Sequence, residues 1–132
     1  MVIDTSAVLA VLQNESERDV FIRFIVDAPI RRISAASYVE AGIVMESRFG
    51  SAGTHQLMLF ISRAGIQIEH VNWEQAEIAL DAYRRFGKGR HAAGLNYGDC
   101  FSYALAAAME EPLLYKGGDF QETDIRSATE IS

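Results

Sequence analysis

The sequence predicts an α/β domain of three layers, in which a central parallel sheet is flanked by helices. Short apolar or β-branched runs alternate along the chain with longer segments of helical periodicity. This alternation is typical of parallel strands joined by crossover helices. The chain has 132 residues, enough for one domain, and its sequence contains no repeat, linker or low-complexity tract. We therefore expect a single domain over residues 1–132.

The chain opens on a strand followed at once by a helix. Residues 1–3 are apolar and the run ends at Asp4. Thr5 or Ser6 can then cap a helix over residues 7–12. The ligand crevice of a parallel sheet lies at the carboxyl ends of its strands, so we expect Asp4 at this rim. A lone aspartate there is more often a turn residue, and its role depends on whether other carboxylates join it.

The remaining elements follow from two periodicities. Apolar residues three and four apart predict helices, and short β-branched or alternating runs between turn residues predict strands. We expect helices over residues 15–28, 35–49, 53–63, 73–83 and 97–109, and strands over residues 30–34, 66–71 and 113–115. Asn72 with Gln75 is a candidate capping box at the start of one helix. The tail over residues 125–131 is a candidate edge strand.

The charge balance argues against a protein that binds nucleic acid through overall basicity. The chain has 18 Asp and Glu against 12 Lys and Arg, a net charge of −6. Its single cysteine, Cys100, excludes an internal disulfide and suits a reducing compartment. We find no pattern of a secretory leader, and the apolar runs are too short for a bilayer span. We expect a soluble, cytoplasmic protein without membrane contact.

Four carboxylates stand where one rim of the predicted sheet would bring them together. Asp4 and Asp119 each follow an apolar strand, and Asp99 lies at the start of an almost uncharged helix. Strand ends and the starts of the following helices share the same rim. The fourth, Glu40, lies on a largely apolar stripe of its helix, which we expect to be buried. That stripe comprises Ala36, Glu40, Ile43, Val44 and Ser47.

Each carboxylate also has an ordinary structural explanation. Aspartates are common in turns and in first helical turns, and Glu40 could be solvated at the edge of its stripe. Together, however, the four would repel one another unless a cation neutralised them. An all-oxygen cluster selects Mg²⁺ or Mn²⁺. The sequence has no Cys and His at zinc spacing, and no Ser-His-Asp or Cys-His pair that would indicate covalent catalysis.

Four segments of the chain resemble the PIN-domain ribonucleases, and more narrowly the VapC toxins of bacterial type II toxin–antitoxin modules. The segments are Val-Ile-Asp-Thr-Ser-Ala at residues 2–7 and those at residues 37–41, 95–106 and 112–120. The resemblance covers essentially the whole chain. Its most specific parts are the segment around Asp99 and the closing Lys-Gly-Gly-Asp-Phe. The chain departs from many relatives at Gly118, where they carry an acid or Asn.

The resemblance implies a three-layer PIN-like fold and Mg²⁺-dependent hydrolysis of RNA, with Mn²⁺ able to substitute and with 5′-phosphate and 3′-hydroxyl products. It implies a catalytic quartet of Asp4, Glu40, Asp99 and Asp119. Asp4 and Asp99 would be direct metal ligands, and Thr5 and Ser6 would support the site. It also implies a VapB-like antitoxin that covers the site, and a homodimer.

Local positive charge must hold such a substrate, because the overall balance is acidic. The densest basic run ends shortly before Asp99, and one lysine stands near Asp119; we hypothesise that these side chains contact RNA phosphates. They are Arg84, Arg85, Lys88, Arg90 and Lys116, with His91 beside them. The same charges could serve only to solvate a helix end and a loop. Candidate apolar faces for a dimer contain Ile22, Phe24, Ile25, Val44, Met45 and Phe49.

Three other functions can be compared with the same residues. A haloacid-dehalogenase-like phosphatase needs a second Asp two residues after the first, but Ser6 stands there. A phospho-receiver domain needs an acidic pair near its start, and the sequence has none. A non-catalytic PIN-like module that binds RNA or protein stays open if the carboxylates cannot hold a metal.

Overall fold

The strands form one parallel sheet in the order β3-β2-β1-β4. The structure, a computed structural model, describes residues 1–130. The strands are β1 (Val2–Ile3), β2 (Arg32–Ser34), β3 (Gln67–Glu69) and β4 (Leu113–Leu114). Val2 is paired with Arg32 on one side and with Leu113 on the other. The opening residues of the chain therefore form a central strand, as a buried parallel sheet requires.

Helices pack on both faces of this sheet and complete three layers. They are α1 (Thr5–Leu12), α2 (Arg18–Asp27), α3 (Ala35–Phe49), α4 (Ser51–Arg63), α5 (Trp73–Phe86) and α6 (Tyr97–Met109). Adjacent residues of a strand point to opposite faces. Val2 accordingly lies in the core beneath α5 and α6, whereas Ile3 lies in the core of the opposite face. The predicted three-layer α/β fold is confirmed. Within residues 1–130, no helix combines the length and apolar content that a bilayer span needs.

Several predicted boundaries differ from the observed ones. The helix predicted from residue 15 begins at Arg18, after a turn in which the Arg18 N–H donates to the Glu15 carbonyl. The strand predicted over residues 66–71 is shorter, Gln67–Glu69, and lies at one edge of the sheet, where it pairs on one side only. The tail makes a single parallel bridge between Ser127 and Leu113 rather than the predicted strand. Ile131, the end of that prediction, lies outside the described residues.

Two predicted helix caps need correction. Asp4 itself, rather than Thr5 or Ser6, caps α1 by accepting the Ser6 N–H at 3.0 Å. Asn72 caps α5 as predicted, but it accepts only the backbone N–H of Gln75. The reciprocal capping box lies instead at the start of α6, between Asn96 and the third helical residue. That residue, Asp99, accepts the Asn96 N–H with its side chain while Asn96 Oδ1 accepts the Asp99 N–H.

Helix α3 buries a different face from the predicted one. Its buried residues are Ser37, Ala41 and Met45, which are spaced four apart. This row faces α1, α4 and α6, which pack against α3. The stripe that contains Glu40 lies beside this row, so Glu40 is half-buried and Ile43 is 63% exposed. The prediction that this stripe is buried was wrong, since three- and four-residue spacing left two neighbouring rows possible.

The predicted dimer faces are also partly core. Ile25 and Met45 are 2% and 1% exposed, so both belong to the interior of this chain. Phe49 remains more than half exposed, and so do Val39 and Ile43 on α3. The apolar surface that α3 presents to solvent therefore includes residues that the predicted faces did not.

Candidate metal and catalytic site

Asp4 directly follows β1, and three hydrogen-bond donors hold its side chain. One carboxylate oxygen, Oδ2, accepts the Ser6 N–H at 3.0 Å and the Ser6 hydroxyl at 2.6 Å. The other, Oδ1, accepts the Ser102 hydroxyl at 2.5 Å. Only 3% of Asp4 is exposed. A buried carboxylate requires such donors, because desolvation without compensation is costly.

Asp99 lies in the first turn of α6, within the capping box. The Asn96 N–H donates to Asp99 Oδ2 at 3.1 Å, while Asn96 Oδ1 accepts the Asp99 N–H at 2.9 Å. Burial raises the pKa of Asp99, and the nearby charges of Asp4 and Asp119 raise it further, to about 7. The Asn96 N–H acts in the opposite direction. Asp99 therefore lies in the same electrostatic cluster as Asp4 and Asp119.

Asp119 follows β4 and reaches the cluster from an exposed loop. Its carboxyl lies near that of Asp99, and this proximity helps to raise the Asp99 pKa. The preceding Gly118 is also exposed, and a Cβ placed there would meet only Gln121 Oε1, at 3.9 Å. Residue 118 thus has room for a side chain.

Glu40 projects from α3 onto the start of α6. Its carboxylate lies so close to Gly98 that a Cβ at that position would overlap both carboxylate oxygens of Glu40. Glycine is therefore required at residue 98 for this approach. Because Gly98 directly precedes Asp99, the fourth predicted carboxylate lies beside the cluster even though it does not lie on the buried face of its helix.

Buried hydroxyl groups complete the site, and sequence reasoning did not single out all of them. The Ser37 and Ser102 hydroxyls are 3.0 Å apart, and the Thr5 hydroxyl donates to the Ser37 carbonyl at 3.2 Å. Thr5 and Ser6, which were predicted as supporting residues, lie in this network. Ser37 and Ser102 were missed as site residues. The one signal for Ser102 was a polar residue three positions after Asp99 on an otherwise apolar helix.

The donor set of this cluster fits a hard divalent cation. Its charged groups are carboxylates, whose oxygens are the ligands that Mg²⁺ and Mn²⁺ prefer. Within residues 1–130, no group of three or more His, Cys, Asp or Glu side chains has the arrangement that would hold a metal as it stands. A cation would therefore have to draw the carboxylate oxygens closer together than they lie here.

The one cysteine of the chain is not an activated nucleophile. Burial raises the pKa of Cys100 to about 11, and the charge of Asp99 adds to this effect. The thiol therefore stays protonated near pH 7, whereas nucleophilic attack requires the thiolate. Its Sγ instead donates to the Asn96 carbonyl at 3.2 Å. Cys100 serves as a buried packing residue of α6.

The predicted phosphate-binding cations differ in how far they are already paired. Lys116 forms ion pairs with Glu15 and Glu17, and Arg85 forms them with Asp124 at 3.1 Å and Asp81 at 3.7 Å. The guanidinium of Arg90 lies over the Tyr83 ring, at 5.7 Å. Three of the predicted cations are exposed and have no ion-pair partner among residues 1–130. They are Arg84, Lys88 and Arg90.

His91 shapes the loop that carries these cations. Its Nδ1 accepts the Ala93 N–H at 3.0 Å, and its ring packs edge-on against Phe86 with ring centres 5.2 Å apart. Since Nδ1 is an acceptor, the neutral ring carries its proton on Nε2. These contacts give His91 a structural role at the turn after α5.

The chain matches the family model described as PIN domain over residues 1–126. It is 52% identical over 125 residues to a protein named Ribonuclease VapC from Mycolicibacterium smegmatis, with 95% of this chain and 97% of that protein covered. The residues matched by the family model, 1–126, include every carboxylate of the cluster.

Two solved structures share the fold. One is Mycobacterium tuberculosis VapC20, described as a Sarcin-Ricin loop cleaving toxin, with a TM-score of 0.76, 17% identity and coverage of 94% of this chain and 95% of that one. The other is a toxin–antitoxin complex from Klebsiella pneumoniae, with a TM-score of 0.73, 15% identity and 98% of both chains covered. At these identities the two structures establish the common architecture.

Proposed function

The chain belongs to the PIN-domain family, and on this premise we propose that it is a Mg²⁺-dependent endoribonuclease toxin that hydrolyses RNA phosphodiester bonds. The VapC ribonuclease that is 52% identical to it supports this activity. The single observation that carries the proposal is the cluster itself. Asp4, Asp99 and Asp119 come from distant parts of the chain, and burial together with these neighbours raises the pKa of Asp99 to about 7. Perturbed carboxyl groups of this kind are typical of functional sites.

We assign the roles of the quartet from how each carboxylate is held. Asp4 and Asp99 are the direct metal ligands, since each is fixed by hydrogen bonds. Glu40 and Asp119 flank them as further ligands, direct or through water, or position the attacking water. When bound, the ion lowers the pKa of that water and offsets charge on the phosphoryl oxygens. Mn²⁺ has the same preference for oxygen ligands and would replace Mg²⁺.

We propose that RNA phosphates bind along the basic loop after α5. Lys88 and Arg90 in this loop, and Arg84 in the last turn of α5, are exposed and are without ion-pair partners among residues 1–130. Arg85 and Lys116 would have to exchange carboxylate partners for phosphate. Each phosphate contact releases counterions, so binding by these cations is expected to weaken as salt rises.

We propose that a VapB-like antitoxin holds the enzyme inactive, and that the free toxin inhibits translation or growth. The likeness to a chain of a toxin–antitoxin complex supports this partner. An arginine of the antitoxin could pair with the unneutralised carboxylates, since charge-assisted bonds of this kind are strong. We further propose that the protein forms a homodimer. We also propose that it is cytoplasmic, because RNA and a reduced Cys100 are expected there.

The proposal is tested by cleavage of a fluorescent RNA as a function of Mg²⁺ concentration. Wild type should cleave with a saturable dependence on Mg²⁺, and Asp4→Asn should lose cleavage while still binding RNA. Asp27→Asn is the matched control, because Asp27 is an exposed acid at the end of α2. RNA binding without cleavage by wild type at any Mg²⁺ concentration would reject the enzyme in favour of a non-catalytic PIN-like binding module.

A further inference from the structure

Ser102 is a buried hydroxyl in the middle of an apolar helix segment. It is 0% exposed, and its neighbours on α6 include the buried Tyr103, Ala104 and Leu105. A serine within a helix ordinarily donates to the carbonyl one turn earlier. Here it donates instead to Asp4 Oδ1, at 2.5 Å, across 98 positions of sequence. The hydroxyl therefore connects α6 to the carboxylate at the end of β1.

Hydrogen counting fixes the direction of the network behind Ser102. A serine hydroxyl has one hydrogen, and that of Ser102 is used at Asp4. In the contact of 3.0 Å between the two hydroxyls, Ser37 must therefore be the donor and Ser102 the acceptor. The Ser37 carbonyl in turn accepts the Thr5 hydroxyl. The contact from Ser37 on α3 thus keeps the hydrogen of Ser102, on α6, directed at Asp4.

The second oxygen of Asp4 is held just as firmly. The Ser6 hydroxyl accepts the Lys116 N–H at 2.9 Å, which leaves its own hydrogen for Asp4 Oδ2. A carboxylate offers about four lone-pair sites, and the donors from Ser6 and Ser102 use three of them. The remaining site lies on Oδ1, the oxygen that Ser102 holds. Ser102 therefore controls the orientation of the one oxygen of Asp4 that retains a free acceptor site.

We propose that Ser102 is a positioning residue that, supported by Ser37, orients Asp4 Oδ1 toward a divalent cation at the carboxylate cluster. The inference rests on the proposed function and deepens it by naming residues outside the acidic quartet that set metal affinity. Hydrogen-bond partners of metal ligands typically change metal affinity by about 10- to 100-fold when they are removed. A serine that only fills space would leave metal affinity unchanged.

The test measures Mn²⁺ binding by electron paramagnetic resonance, and the Mn²⁺ concentration for half-maximal RNA cleavage, in folded variants. Ser102→Ala should raise the Mn²⁺ dissociation constant about 10- to 100-fold, and Ser37→Ala should raise it by a smaller factor. Ser37 contacts Ser102 but not Asp4, so its variant carries the test if Ser102→Ala does not fold. Thr54→Val is the control. It removes an α4 hydroxyl that lacks a partner within residues 1–130, and should change Mn²⁺ affinity less than about twofold.

The outcomes separate this inference from the proposed function. If wild type binds Mn²⁺ and cleaves RNA while Ser102→Ala and Ser37→Ala bind Mn²⁺ as tightly as wild type, Ser102 is a packing residue and the inference is overturned. If wild type neither binds Mn²⁺ nor cleaves RNA, the proposed function itself fails. A weakened affinity in both serine variants, with the threonine control unchanged, supports the positioning role.

Discussion

The amino ends of the parallel strands form one side of the sheet, here called the amino edge, and their carboxyl ends form the carboxyl edge. Partly buried carboxyl groups have opposite electrostatic surroundings at these two edges. At the amino edge, Glu111 accepts from the Met1 ammonium at 2.8 Å and from Arg32 at 3.0 Å, and Arg32 also pairs with Glu69 at 2.7 Å. At the carboxyl edge, no lysine or arginine within residues 1–130 forms an ion pair with the acidic quartet. We call the amino edge, whose carboxyl groups form ion pairs, the closed edge. We call the carboxyl edge, whose quartet forms no such ion pairs within residues 1–130, the open edge.

The pKa values express the same difference. Burial raises the pKa of Glu111, but hydrogen bonds from the Met1 ammonium and Arg32 outweigh it and bring the pKa below its ordinary value. Burial also raises the pKa of Asp99, where neighbouring carboxylates add to the effect and the result is about 7. The charged form of Glu111 is thus stabilised at the amino edge, whereas the charged form of Asp99 is disfavoured at the carboxyl edge, as is common at functional sites.

The largest expected effect follows from removing one charge at the open edge. Asp99→Asn keeps a polar side chain of similar size but removes a proposed metal ligand, so RNA cleavage at saturating Mg²⁺ should fall by about 100- to 1,000-fold. Single-turnover cleavage of a fluorescent RNA measures it. Glu111→Gln at the closed edge is the matched control and should cleave within about threefold of wild type. Equal losses of cleavage in the two variants would contradict a functional difference between the two edges.

A methyl group at Gly98 tests the open edge without changing its charge. Gly98→Ala places a Cβ where the Glu40 carboxylate lies, so Glu40 must move. Displacing a positioned group by about 1 Å can lower the rate by about 100-fold. We therefore expect the cleavage rate to fall by about 10- to 100-fold. Gly118→Ala is the control, since a Cβ there has only Gln121 Oε1 nearby. Unchanged cleavage by Gly98→Ala would remove Glu40 from the site.

The closed edge is tested through stability. Glu111→Gln leaves the Met1 ammonium and Arg32 without their shared partner, and it should lower the free energy of unfolding by about 1–2 kcal/mol at pH 7. Urea denaturation followed by circular dichroism measures this change. Because the folded-state pKa of Glu111 is lowered, the stabilisation is present above the ordinary pKa and lost as pH falls through the folded one. A Glu111→Gln variant with wild-type stability at pH 7 would show that the ion pairs contribute nothing.

Asp99 should show the opposite dependence on pH. Its folded-state pKa is raised from 3.8 to about 7, so the folded protein holds this proton more tightly than the unfolded chain. Ionised Asp99 therefore destabilises the fold progressively between those two values as pH rises. In a chelator at pH 8, Asp99→Asn should be more stable than wild type by about 1 kcal/mol, after allowance for solvent screening of a partly exposed group. At pH 4 the two should be equally stable, and a difference independent of pH would contradict the assignment.

The smallest effect concerns the basic loop between α5 and α6. Neutralising Lys88 or Arg90 to Gln should weaken RNA binding by a few-fold at moderate salt and reduce the slope of log affinity against log salt by about 1. Fluorescence anisotropy across a salt series measures both quantities. Arg63→Gln is the control, because Arg63 is an exposed arginine at the end of α4. An unchanged slope in the loop variants would reject this surface as the phosphate contact.

The parallel sheet and the convergence of three carboxylates could be predicted because both follow from local pattern. Asp4 and Asp119 follow strands and Asp99 begins a helix, and topology alone brings such positions to one rim. The face of α3 could not be predicted in the same way, because rows of apolar residues at three- and four-residue spacing compete and tertiary packing chose Ser37, Ala41 and Met45.

The parts that the sequence did not reveal depend on partners from distant segments. Lys116 is paired with Glu15, 101 positions away, and Arg85 with Asp124, 39 positions away. No local pattern marks either pairing, so both cations were predicted as phosphate contacts. Ser102 likewise looks like a small filler in an apolar helix until Asp4 is seen beside it. Its role is visible only in three dimensions.

The proposal that the carboxyl edge binds a divalent cation is tested most directly by the release of protons on Mn²⁺ binding at pH 7. Isothermal titration calorimetry in two buffers of different ionisation enthalpy measures it. Because the pKa of Asp99 is about 7, wild type should release roughly half a proton per bound ion, whereas Asp99→Asn should bind more weakly and release almost none. Binding of Mn²⁺ by both proteins with equal affinity and equal proton release would contradict this account.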